Sequence, residues 1–141
     1  MAISPELKKQ LLQVARDAAG QAYCPISQFH VGAALLANGQ IIEGCNVENA
    51  SFGLTICAER VAIFNAISKG HNRIEALAIA CPDAMEESPN SKMPCGACRQ
   101  VMAEFSDPEL LVLIDGVGEF LLRQLLPTPF EFRPQPIEQS S

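Results

Sequence analysis

Apolar residues recur at helical spacing through the first twenty positions. Leu7, Leu11, Val14 and Ala18 share one face, with charged and amide side chains between them. Ser4 and Pro5 form an N-cap followed by a first-turn proline, and Gly20 closes the segment. The pattern predicts an amphipathic helix packed on a neighbour. The period then changes. Residues 30–37 are almost continuously apolar, as in a buried strand, and Asn38-Gly39 is a strong hairpin signal. Residues 40–46 read as the returning strand, so the sheet begins antiparallel.

Residues 57–69 predict a helix that stops at Gly70. Val61, Ala62, Ile63, Phe64, Ala66 and Ile67 make it apolar almost all round, which predicts burial on most sides. Residues 73–81 predict a third strand centred on positions 76–80, and a polar loop spans 82–92. Pro94 opens another helix, with Cys98, Val101, Met102 and Phe105 in one stripe. Residues 110–114 predict a fourth strand, 118–122 a short fifth, and 124–126 one helical turn. From Pro127 onward prolines mix with polar residues, and positions 131–141 are expected to form an extended or flexible tail. Strands alternating with apolar helices imply an α/β chain with a mixed sheet covered on both faces. No repeat or linker divides it, so residues 1–130 are expected to form a single domain.

Composition narrows the partners. The formal net charge of −6 over 141 residues disfavours nucleic acid and anionic membrane and suits a small uncharged ligand. With 48% hydrophobic and 18% charged residues, the chain is apolar enough to favour an oligomer. Residues 1–12 do not read as a signal peptide, and no apolar run has the length of a membrane span. A cytoplasmic location is therefore expected, where the six cysteines stay reduced, although their even number would permit disulfides.

Two of the predicted helices start on cysteine clusters: Cys57-Ala58-Glu59, and Pro94-Cys95-Gly96-Ala97-Cys98. Helix N-termini favour thiolates, the form that binds zinc. Cys95 and Cys98, three apart, lie on one helix face. Cys57, Cys95 and Cys98 would give Zn²⁺ three protein ligands and one open position, which is how a catalytic zinc is held and water activated. Glu59 is placed to move protons. Three thiolates leave excess negative charge, and Arg60 is the cation expected to donate to the sulfurs. Two other readings share these residues. A structural zinc site would need a fourth ligand from Cys24, Cys45, Cys81, His30 or His71. A thiol oxidoreductase would use Cys95 and Cys98 alone and leave Glu59 without a task. Cys24, Cys45 and Cys81 otherwise read as small buried apolar residues.

The two clusters together resemble the signature of the zinc nucleobase deaminases. Further blocks are more specific. Residues 29–36 (F-H-V-G-A-A-L-L), 46–51 (N-V-E-N-A-S), 54–61 (L-T-I-C-A-E-R-V) and 94–100 (P-C-G-A-C-R-Q) resemble the small homotetrameric cytidine deaminases. The resemblance runs from about position 22 to position 130. It implies a three-layer α/β/α sandwich with a central five-stranded mixed sheet. It also implies hydrolysis of cytidine and deoxycytidine in pyrimidine salvage, with one zinc per subunit. By position, Asn46 and Glu48 would bind the ribose hydroxyls. Phe29 would lie beside the pyrimidine and ribose, and Ala58 would belong to the substrate-binding set. Phe130 would stack on the base held by a neighbouring subunit, so that active sites are shared. Thr128-Pro129 stands where the family often has Gly-Ala, Phe52 where a tyrosine is common, and Val61 where threonine is frequent. The runner-up activity is deamination of a modified cytosine nucleoside such as blasticidin S. A non-catalytic zinc module is the alternative of a different class.

Overall fold

The structure, a computed structural model, describes residues 2–134. The expected tail over 131–141 lies outside them from position 135 on; residues 131–134 have no regular secondary structure. Helix α1 spans Pro5–Ala19, and the Ser4 hydroxyl accepts from the Leu7 amide at its start. Strands β1 (Gly32–Ala37) and β2 (Gln40–Cys45) form the hairpin. Asn38 and Gly39 at its tip have φ of 51° and 75°, the left-handed pair that such a two-residue turn requires. Helix α2 (Ala58–Ser68), strand β3 (Ala76–Ala80), helix α3 (Gly96–Glu104), strands β4 (Leu111–Ile114) and β5 (Gly118–Leu121), and the short α4 (Leu122–Leu125) follow. Short 3-10 turns lie at Phe52–Leu54 and Pro89–Lys92.

The sheet order is β2-β1-β3-β4-β5. Only β3 and β4 run parallel; the other neighbouring pairs are antiparallel. Alternate residues of the strands face opposite layers, as strand periodicity demands. Ala34, Leu36, Ala76, Ala78, Ala80 and Leu113 pack with Leu11 and Ala15 of α1. Ala33, Leu35, Leu77, Ile79, Val112 and Ile114 face the other way, onto α2, α3 and α4. This is the expected three-layer sandwich around a mixed five-stranded sheet.

Gly44 sets how closely α2 approaches. A Cβ there would meet the Ala62 amide nitrogen at 2.3 Å and the Ala58 carbonyl at 2.8 Å. The absent side chain brings the backbone of α2, and with it Cys57 and Glu59, down onto β2.

Two expectations change. Residues 30 and 31 lie outside β1, which begins at Gly32, because side chains rather than a strand take their amides. Helix α2 buries Ala58, Glu59, Ala62, Ile63 and Ala66, while Phe64 remains 47% exposed. Its apolar girth exceeds what one chain covers.

Candidate active site

Cys57 is the N-cap residue of α2 and Cys95 that of α3. Both have extended backbone, and neither sulfur caps its own helix, so both are free to face the gap between the two helix starts. Cys98, one turn into α3, is fully buried beneath them. The Cys57 and Cys95 sulfurs are 4.0 Å apart, and those of Cys95 and Cys98 3.5 Å. Zinc–sulfur bonds of about 2.3 Å at a tetrahedral angle put thiolates about 3.8 Å apart, so this cluster has the dimensions of a zinc site. It is the one group of three or more metal-ligating side chains among the described residues, and Cys24, Cys45, Cys81, His30 and His71 do not join it. A zinc ion held here would have three side-chain ligands and a position left for a small molecule. All six cysteines are free thiols.

Charge is arranged to suit thiolates. Arg60 Nη2 donates to Cys57 Sγ at 3.5 Å, while its buried Nε has no partner among the described residues. Hydrogen bonding from Cys98, then from Arg60, holds the Cys57 thiol down at about 5 against the effect of burial. Cys98, the partner of that bond, is pushed up instead. Glu59 is 4% exposed, and burial, followed by the charge on Cys57, raises its carboxyl to about 7. Such a group can both take and return a proton near neutral pH.

The cluster opens on a cavity of about 410 Å³, within the range of small-molecule sites. Phe29, Asn46, Glu48, Ala58 and Glu59 line it together with Cys57 and Cys95. Thr55, Ile56, Ile79, Cys81, Lys92 and Met93 are also in the lining, which sequence reasoning did not anticipate; it weighed Cys81 only as a fourth zinc ligand or a small buried residue. Cys81 follows the end of β3, where crevices form in sheets with parallel strands, and that was the available signal. Its burial pushes the thiol up to about 12, so it stays neutral.

One wall, residues 26–31, is held by side chains. Glu48 Oε1 accepts from the amides of Ile26 at 2.9 Å and Ser27 at 3.1 Å. Ser27 Oγ accepts from Phe29, Asp83 Oδ2 from His30, and Asn46 Oδ1 from Val31. Asn46 also donates to the Phe29 carbonyl at 2.7 Å. Asn46 and Glu48 thus build the wall, and each retains unused hydrogen-bonding capacity.

Phe130 is not brought into this cavity. It is 72% exposed and lies along α3, where Gln100 donates to its carbonyl at 2.9 Å and accepts from its amide at 3.3 Å.

A three-layer mixed sheet, three thiols at two helix starts and a buried glutamate beside them define the zinc-dependent deaminase class. The family profile described as the cytidine and deoxycytidylate deaminase zinc-binding region matches residues 5–114, and the chain belongs to this family. It is 46% identical over 127 residues to the cytidine deaminase of Sporosarcina psychrophila, covering 86% of this chain and 90% of that relative. The cytidine deaminase structure from Burkholderia pseudomallei superposes with a TM-score of 0.79 at 40% identity, covering 91% of this chain and 100% of that one. The Mycobacterium tuberculosis cytidine deaminase gives 0.77 at 41%, covering 88% and 97%.

Proposed function

We propose that this chain is a zinc-dependent cytidine deaminase that hydrolyses cytidine and deoxycytidine to uridine and deoxyuridine with release of ammonia. The observation that carries this reading is the buried Glu59 next to three sulfurs of tetrahedral spacing, on the wall of a nucleoside-sized cavity. Cys57, Cys95 and Cys98 would hold one zinc per subunit, whose chemistry is to make a water acidic at the open position. Glu59 takes one proton from the attacking water and passes it to the ring nitrogen N3. It then takes the remaining proton from the new C4 hydroxyl and gives it to the amine, which leaves as ammonia as the C4–N bond breaks and the C4 carbonyl forms. Its pKa of about 7 lets one carboxyl do each of these transfers. Arg60 offsets the charge of the thiolates from behind Cys57.

Phe29 lies against the pyrimidine and ribose, Ala58 contacts the base, and Asn46 and Glu48 bind the sugar hydroxyls with the capacity the wall leaves free. Residues 1–130 form the catalytic domain. The protein is a homotetramer, in which Phe130 of one subunit stacks on the base bound by its neighbour. The exposed Phe52, Leu54, Phe64, Phe130 and Phe132 supply apolar surface for that assembly. Its place is pyrimidine salvage in the cytoplasm. No helix of the described residues is long and apolar enough to cross a membrane.

The test offers cytidine, deoxycytidine, cytosine, cytidine monophosphate and blasticidin S to the purified protein and follows ammonia, with zinc measured per chain. Release from the two nucleosides with one zinc per chain is expected. Preference for blasticidin S, or active protein free of zinc, would overturn the assignment.

A further inference from the structure

Phe29 and Val31 line the cavity, yet neither lies in a strand. Asn46 grips this segment from one side, through the Phe29 carbonyl and the Val31 amide. The residue between them turns the other way. The His30 amide donates to Asp83 Oδ2 at 2.8 Å, and His30 Nδ1 lies 2.7 Å from the same oxygen. A carboxylate only accepts, so Nδ1 carries the proton. Asp83 belongs to the segment between β3 and α3, whose later residues Lys92 and Met93 line the cavity as well. The pair therefore ties one stretch of wall to the segment that carries another. It also follows Gln28, which holds a φ of 58°, a conformation that needs outside support in a non-glycine residue.

We propose that Asp83 is a positioning residue for substrate binding, acting through His30 to hold Phe29 and Val31 at the distance a bound nucleoside requires. The proposal rests on the deaminase reading above. Asp83 touches neither the reacting atoms nor the sulfur cluster. The side chains of His30 and Asp83 are 40% and 43% exposed, so the pair adds little to global stability. Its effect is on the shape of the site.

The experiment compares Asp83→Ala, Asp83→Asn and His30→Ala with the wild-type protein in steady-state cytidine deamination, with zinc content and melting temperature measured alongside. Asp83→Ala is expected to raise KM about three- to tenfold, the scale of a hydrogen bond's net worth, while kcat stays within about twofold. Zinc content and melting temperature are expected to be unchanged. Asp83→Asn, whose amide oxygen still accepts from the His30 amide, should recover most of the loss. His30→Ala keeps that amide and should raise KM less than Asp83→Ala. An unchanged KM in Asp83→Ala would overturn the positioning role, as would a loss confined to kcat or to zinc. Wild-type protein that releases no ammonia from cytidine would overturn the functional reading, and this proposal with it.

Discussion

Gly44→Ala adds one methyl group where β2 meets α2. Gly44 is not among the residues of positive φ, so alanine brings no backbone strain and the effect is steric alone. The new Cβ would lie 2.3 Å from the Ala62 nitrogen and 2.8 Å from both the Ala58 carbonyl and the Ala62 Cα, against 3.4 Å for ordinary contact. All three are backbone atoms, so no side chain can rotate away. Helix α2 must move outward by about 1 Å, and overpacking of this kind costs roughly 1–3 kcal/mol. The helix starts at Cys57 and carries Glu59, so the displacement reaches the sulfur cluster and the proton-transfer group together. A misplacement of about 1 Å at a reacting centre can cost on the order of 100-fold in rate. Urea unfolding followed by circular dichroism would give the stability change, and ammonia release the turnover. The expected result is a lower unfolding midpoint with a disproportionate loss of kcat. Wild-type stability together with wild-type turnover would refute the reasoning, since the helix would then have room that these distances deny.

Glu59→Gln should keep fold and zinc but lose more than the roughly 10²–10⁴-fold of a single general acid or base, because in the proposed reaction one carboxyl makes every transfer; ammonia release within tenfold of wild type would remove Glu59 from the chemistry. Arg60→Gln should weaken zinc binding by about 10–100-fold in competition with a chelator, and unchanged affinity would show that its contact with Cys57 is idle. Phe130→Ala should raise KM for cytidine, and mixed tetramers with Glu59→Gln subunits should lose activity beyond simple dilution if sites are shared. Asp115 is held below the usual carboxylate range by its hydrogen bond from Arg16, so its contribution is full above about pH 4 and fades as pH falls through its lowered value. Asp115→Asn should therefore cost up to about 1 kcal/mol at neutral pH, reduced by solvent screening of this part-exposed pair, and progressively less as pH falls through that lowered value; a gap that does not narrow on acidification would contradict the linkage.

The parts legible in the sequence are those set by local chemistry. Asn38-Gly39 can make a two-residue turn by itself, and Ser4-Pro5 can start a helix by itself. Cys57 and Cys95 were readable as helix starts, and the structure places them at N-caps. What the sequence concealed depends on partners distant along the chain. His30 and Val31 are apolar-flanked and look like strand, but Asp83 and Asn46 take their amides and β1 starts only at Gly32. The nearness of Gly44 to α2 depends on how a helix settles on a sheet, which no local pattern encodes. The raised pKa of Glu59 likewise comes first from burial by other elements, with the charge on its near neighbour Cys57 adding less.

Because residues 26–31 owe their shape to Ser27, Asn46, Glu48 and Asp83 rather than to a strand partner, this side of the cavity can be recut one residue at a time. Under the proposed function, a change in which sugars are admitted need not disturb sheet register or the spacing of the three sulfurs. The side chains that shape this wall are thus separate from those that build the sheet and the sulfur cluster.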